Sequence, residues 1–377
     1  MFDPETTKRD LVLAIASSSF SKPSETFVRH HATLIAPDRT LCLSWDGEET
    51  AIDLPRARIP VPRRGLVRDL FGPLGTSDRR AVAKLLRESG VSRLMTEFGG
   101  TGVALRGSAS DADVPLYVHF HGRDVSRGVR KFWIRRSYRR LFDQAEAIIA
   151  PSDFLRRTLV EMGCPHKKTH VVPCGVRITA PPAPRDEPGR ILSVGRLVDK
   201  KSPLLTIDAF ASIAADFPHA RLDIVGDGPL REKCEKAIVR HGLEDRVRLS
   251  GFLTHEEVLD LLRQASAFVL HSVTAPNGDT EGLPVSILEA MNAALPVIST
   301  QHSGIPEAVE SGAHGLLVRE HDLAGTAQAM ADLLADPARA EALGAAGRDR
   351  AIRQFSLDHT IGKLRDIMSL STEGGAR

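Results

Sequence analysis

Short apolar runs alternate with longer segments in which apolar residues recur every three or four positions, and this alternation runs through both halves of the chain. Runs of strand length separated by helix-length stretches predict parallel sheets covered by helices. In the second half the strands are expected at 190–194, 221–225, 247–249, 267–270, 296–299 and 315–318; in the first half, at 11–16, 116–120 and 147–149. Between the halves, segment 179–189 holds four prolines in eleven residues, the composition of a stiff linker. The pattern predicts two doubly wound α/β domains, 1–178 and 190–350, with a final segment 351–377 that begins as a helix. Such domains leave a cleft at the carboxyl ends of their strands, where ligands bind.

Composition narrows the picture. At 377 residues the chain is long for one core, and 42% hydrophobic with 26% charged residues describes a globular protein. No apolar run reaches the roughly 18 residues of a membrane span. The acidic start and the short 11–16 run do not read as a secretory signal, so a cytoplasmic protein is expected. Cys42, Cys164, Cys174 and Cys234 have no metal-ligand spacing and are expected to be reduced and free. Net charge is only +2, but residues 1–188 carry 30 Lys and Arg against 22 Asp and Glu, whereas the remainder carries 20 against 26. The first half therefore favours an anionic partner.

Residues 279–291, Asp-Thr-Glu-Gly-Leu-Pro-Val-Ser-Ile-Leu-Glu-Ala-Met, set Glu281 and Glu289 eight positions apart around Gly282-Leu283-Pro284, which opens an apolar helix. Gly282 allows close backbone approach and Pro284 suits a first helical turn. The free N–H groups of that helix make an anion site. On a continuous helix Glu289 would lie about 80° from Glu281, roughly two turns deeper. A plain capped helix with an acidic first turn would carry some of the same residues.

Strand 190–194 leads to Gly195 and Arg196, then to Lys200 and Lys201 before a helix, which suits a diphosphate. Lys201 directly precedes the helix and is the better placed lysine. A solvated basic turn is the alternative. Gly226-Asp-Gly228 ends the next strand; it fails as a dinucleotide fingerprint because Arg231 takes the place of the third glycine. Gly251, Phe252 and Leu253 follow the third strand, and plain turn glycines are the competing explanation. Beyond strand 296–299, His302 reads as a loop histidine without a role, with a position facing the cleft as the alternative. In the first half, Val118-His119-Phe120-His121-Gly122-Arg123-Asp124 puts His121 and Asp124 just past a strand, with His119 alternating to the opposite face as a structural residue. The polar loop 17–26 contains Ser24 and Glu25, and Ser24 would also serve as a helix cap. Asp111-Ala-Asp113 is a metal-type string in a stretch that reads as loop.

Together these motifs resemble those of retaining nucleotide-sugar glycosyltransferases of family 4, which have the GT-B fold of two Rossmann-like domains facing a central cleft. Glu281-x7-Glu289, the Gly195-Arg196…Lys201 turn, Gly226-Asp-Gly228, Gly251-Phe252-Leu253 and Ile305-Pro-Glu307 stand in the family's order, and His121-Gly-x-Asp124 matches a first-domain pattern. Ser24-Glu25-Thr-Phe, His121-Gly-Arg-Asp-Val-Ser and Gly278-Asp-Thr-Glu-Gly-Leu-Pro resemble exopolysaccharide members of the colanic-acid type. The resemblance implies transfer of a hexose, with retention, from a UDP- or GDP-linked sugar to a glycan acceptor, lipid-diphosphate-linked in surface polysaccharide synthesis. It implies no metal, no other cofactor and no protein nucleophile. Catalytic roles fall to His121, Arg196, Lys201 and Glu281; donor contacts to Gly195, Gly226, Gly228, Gly251, Phe252, Leu253, Gly282, Leu283, Pro284 and Glu289; acceptor contacts to Ser24, Glu25 and Asp124. It also implies a terminal helix returned to the first domain. The chain departs from the pattern at Ser202, where glycine is common, at Cys174 and Arg177, which replace asparagine and aspartate, and at 96–102, which lacks histidines often found there. A soluble acceptor, a GT-B epimerase or phosphorylase, and a silent binding protein are the rival readings.

Segment 127–142 contains seven cations and no acid. Ile134, Tyr138, Leu141 and Ala145 form one helical stripe with Phe132 and Trp133 beside it, leaving Arg135, Arg136, Arg139 and Arg140 to face outward. Basic charge with aromatics suits an anionic membrane, which would make the protein peripheral on the inner face of the cell membrane. A solvated surface helix fits equally. No nucleic-acid motif accompanies the charge, and no nucleic-acid partner is expected.

Overall fold

The structure, a computed structural model, describes residues 11–22, 25–45, 52–61, 72–126, 132–180 and 189–370. The chain divides into two compact units, Met1–Pro173 with Asp358–Arg377, and Cys174–Leu357.

The first unit is built on seven strands: β1 (Leu13–Ala16), β2 (Thr40–Ser44), β3 (Arg56–Arg58), β4 (Arg93–Glu97), β5 (Leu116–His119), β6 (Ala147–Ala150) and β7 (Thr169–Val171). All pairings are parallel, in the order β3-β2-β1-β4-β5-β6-β7. Strands β1, β5 and β6 are buried along their whole length, which is why they read as continuous apolar runs. Helix Gly99–Ala112 packs close to the sheet, and a Cβ on Gly99 would stand 2.3 Å from the Phe120 ring. Phe120, Tyr138 and Phe142 form an aromatic cluster beneath helix Phe132–Gln144. The chain returns to this unit at its end. Arg365 donates to the carbonyls of Leu34 and Ile35, Arg93 donates to those of Met368 and Ser369, and Thr360 donates to that of Pro173.

The second unit has six parallel strands: β8 (Arg190–Val194), β9 (Arg221–Val225), β10 (Val247–Gly251), β11 (Ala267–Leu270), β12 (Val297–Thr300) and β13 (Gly315–Val318), ordered β10-β9-β8-β11-β12-β13. Gly226 (φ +131°) fastens the turns after β8, β9 and β10 together. Its N–H donates to the Gly251 carbonyl at 2.7 Å, and a Cβ there would lie 2.1 Å from the Gly195 carbonyl oxygen. Only glycine fits that position.

Strand order reverses between β1 and β4 in the first unit and between β8 and β11 in the second. These are the switch points at which doubly wound sheets bind ligands, outside the carboxyl ends of the strands.

Several elements differ from the sequence expectation. Strands β2, β3, β4 and β7 carry no long apolar run, and β10 extends to Gly251. Asp111 is helical and pairs with Arg79 at 2.9 Å, while Asp113 is a left-handed helix cap, so the metal-type string closes a helix instead of lying in a loop. The four cysteines are buried and none is in a disulfide. Among the described residues no helix is long and apolar enough to cross a membrane.

Candidate functional site

In the second unit the loops after β8, β11, β12 and β13 converge on Glu281. Lys200 donates to Asp279 Oδ1 (3.2 Å) and to the Thr280 carbonyl (3.0 Å), and its Nζ lies 3.5 Å from Glu281 Oε1. Lys201 Nζ lies 3.3 Å from the same oxygen. Both lysines thus meet the acidic loop, and Lys200 is held by it more closely than the sequence suggested. Burial lowers the Lys201 pKa against the pull of Glu281. Burial works to raise that of Glu281, but Lys201 and Lys200 hold it below the usual carboxylate value. Removing either charge would leave the other buried without its main counterion.

Glu281 is not on the helix. Pro284 is the N-cap (φ −64°, ψ 123°) of helix Val285–Asn292, and the residue before a proline is pushed out of helical conformation. The expected 80° relation therefore does not hold. Gly282 and Leu283 belong to the preceding turn, where Gly282 accepts from the Gly304 N–H (3.0 Å) and Leu283 enters the core. Glu289 lies on the helix; burial pushes its carboxyl up to about 7, and His255 Nδ1 is 3.7 Å away.

His302 is no idle loop residue. It is 2% exposed, its Nε2 accepts from the Glu281 N–H (3.2 Å), and its Nδ1 lies 2.6 Å from Glu320 Oε1. Gly195 and Arg196 follow β8, with Arg196 exposed to solvent. Asp227 accepts from the Gly228 N–H at 2.7 Å. After β10, Leu253 packs on the core while Phe252 is 62% exposed.

In the first unit the focus is Glu97, fully buried at the end of β4 beside the switch point. Its Oε1 is 2.6 Å from His31 Nδ1, and its Oε2 is 3.0 Å from His121 Nε2 and 3.5 Å from His119 Nδ1. Burial alone would raise its pKa; the three imidazoles hold it well below the usual range. Burial also lowers the pKa of His119. The alternation that set His119 on the opposite face fails because β5 ends at that residue, and the His119 and His121 rings are 4.5 Å apart. Phe98 adopts φ +72°, ψ 139°, a strained conformation for a side-chain-bearing residue. Phe27 and Phe98 flank the His121 ring at 4.4 and 4.7 Å. Asp124 accepts from the His121 N–H (2.9 Å), and burial raises its pKa to about 7. Glu25 pairs with Lys22 at 3.3 Å, and Ser24 lies outside the described residues. His31, Glu97 and His119 bring ligand atoms within 4.8 Å of one another, a donor set that would fit a divalent metal. Here the carboxylate and imidazoles partner one another.

Arg135, Arg136, Arg139 and Arg140 are all exposed on helix Phe132–Gln144, with Trp133 48% exposed beside them and Ile134, Tyr138 and Leu141 buried. Cations 127, 130 and 131 lie outside the described residues.

Residues 177–350 match the family described as Glycosyl transferases group 1, and residues 29–180 match Glycosyltransferase Family 4. The chain belongs to glycosyltransferase family 4. The amylovoran biosynthesis glycosyltransferase AmsK of Erwinia amylovora is 39% identical over 227 residues, which are 59% of this chain and 55% of the relative. The chain thus spans little more than half of that protein. The GDP-mannose-dependent alpha-(1-6)-phosphatidylinositol monomannoside mannosyltransferase of Mycobacterium tuberculosis is 31% identical over 262 residues, 66% of this chain and 68% of the relative. The crystal structure of Anabaena HepE in complex with UDP and glucose superposes with a TM-score of 0.80 at 19% identity, covering 95% of this family 4 chain and 99% of HepE. The two Rossmann-like units are those of the GT-B fold.

Proposed function

We propose that this chain transfers a hexose from a nucleotide sugar to a glycan acceptor in the synthesis of an exopolysaccharide, with retention of configuration. The observation that carries the reading is the convergence of Lys200, Lys201 and Glu281 at the carboxyl ends of β8 and β11, beside the start of helix Val285–Asn292. A diphosphate leaving group needs cations and free N–H groups there, and Arg196, Lys201 and that helix terminus supply them without a metal. The C1–O bond to the diphosphate breaks, the acceptor oxygen bonds C1 from the same face, and its proton passes to the departing phosphate oxygen. Glu281 and Glu289 accept from hydroxyls of the donor. In the first unit, Glu97 holds His121 to orient a sugar hydroxyl, with Asp124 and Glu25 on the acceptor side. AmsK and HepE support a polysaccharide role and a UDP donor, and the mannosyltransferase supports GDP and a lipid-borne acceptor.

The exposed arginines beside Trp133 support peripheral contact with an anionic membrane, where a lipid-diphosphate-linked acceptor resides.

Thermal unfolding with UDP, GDP and ADP, each in EDTA, tests the donor site. Saturation at about 100 times Kd adds roughly 2.7 kcal/mol of stability, a shift of a few degrees. A shift with one nucleotide names the donor class. No shift with any of them, in EDTA or with added magnesium, overturns the reading, and a shift seen only with the cation overturns its metal-free form.

A further inference from the structure

The loops after β11, β12 and β13 are tied by one chain of hydrogen bonds through His302. A backbone N–H can only donate, so His302 Nε2, 3.2 Å from the Glu281 nitrogen, presents its lone pair. The ring proton then sits on Nδ1 and points at Glu320 Oε1, 2.6 Å away. Glu320 is fixed in turn, because its Oε2 accepts from the Thr274 N–H at 2.8 Å. Ser303 Oγ stands 3.1 Å from the same Nε2 and can add a second donor to it. With the ring 2% exposed, bulk water has little access to replace these partners.

We propose that His302 is a positioning residue for the donor site. Held as the neutral Nδ1–H tautomer, it fixes the backbone of Glu281 where the carboxylate meets Lys201 and Lys200. This rests on the reading of that loop as the donor site. His302 acts on the site through the Glu281 N–H that it accepts. The neighbouring bond from the Gly304 N–H to the Gly282 carbonyl ties the same two loops a second time, so the His302 contact sets the orientation of residue 281 within an already closed turn.

Two side-chain amides separate the two ends of the ring. Gln reaches the position of Nε2 and can accept from Glu281; Asn reaches the position of Nδ1 and can only donate toward Glu320. Nitrogen NMR of ring-labelled protein reads the tautomer, with the His302 signal assigned by its loss in His302→Gln. Calorimetry with UDP and GDP reads affinity. The expected result is an Nδ1–H signal, a Kd raised about 10-fold in His302→Asn, and recovery to within about threefold of wild type in His302→Gln, the scale of one hydrogen bond. The unfolding midpoints of both variants should stay near that of the wild type. An Nε2–H tautomer, wild-type affinity in His302→Asn, or equal loss in both variants overturns the proposal. Wild-type protein that binds neither nucleotide overturns the donor-site reading instead, and the tautomer signal then decides the link between His302 and Glu281 alone.

Discussion

Glu97 lies fully buried with His121 Nε2 3.0 Å from one carboxylate oxygen and His31 Nδ1 2.6 Å from the other. A carboxylate held this way has its folded pKa depressed. Its stabilisation is therefore present above the ordinary unfolded value of about 4.3 and is lost as pH falls through the folded value. Glu97→Gln should cost about 3 kcal/mol at neutral pH, the scale for breaking a buried pair, with the deficit shrinking toward pH 3. Urea unfolding across that range checks both the cost and its sign.

Lys201 sits 3.3 Å from Glu281 with its side chain 12% exposed. Its replacement by alanine should lower turnover about 10²–10³-fold, as for the loss of one electrostatic stabiliser. Initial rates with the matching nucleotide sugar decide it, and unchanged turnover would remove Lys201 from the reaction.

Ser202 occupies the left-handed region (φ 43°, ψ 48°) at the start of helix Pro203–Ile213, and its side chain makes no capping bond. That conformation suits glycine, the residue that the family resemblance implied here. Ser202→Gly relieves strain worth about 1–2 kcal/mol and gives part of it back as chain entropy, so a rise in Tm of about 2 °C is expected. Calorimetry of the two proteins tests this, and a fall would show that the serine hydroxyl contributes unseen support.

Replacing Arg135, Arg136, Arg139 and Arg140 together by Glu reverses the charge of an exposed face without touching the buried stripe of Ile134, Tyr138 and Leu141. Each cation near an anionic surface is worth about 1 kcal/mol, so co-sedimentation with phosphatidylserine vesicles should be abolished. Retained sedimentation would refute the membrane face.

The second unit was legible almost to the residue because strands such as Ala267–Leu270 are buried throughout and apolar, and others such as Arg190–Val194 have an apolar centre. The first unit was harder. Arg56–Arg58 is an edge strand with exposed arginines, and Arg93–Glu97 ends on a charge, so neither shows the pattern of a buried strand. The motifs around Gly195, Gly226, Gly251 and Glu281 were visible because each is local in sequence. Glu97 with His31 and His121, and His302 with Glu281 and Glu320, were not, since such partners come from elements far apart in sequence and meet only in the folded unit. The missing histidines at 96–102 marked the place where Glu97 stands but gave no sign of what it would hold. Periodicity failed for Glu281 because Pro284 delays the helix until Val285.

The bonds from Arg365 to Leu34 and Ile35, and from Arg93 to Met368 and Ser369, bear on how the chain is made. A ribosome releases the seven strands of the first unit early, yet the segment that closes their surface emerges only after all of Cys174–Leu357 has been translated. During synthesis the first unit must wait, with Arg93 and the end of helix Thr26–Leu34 uncovered, while the second has everything it needs to fold. Closure of the first unit by segment 358–370 therefore follows translation of the second, which makes the earlier unit depend on the later one.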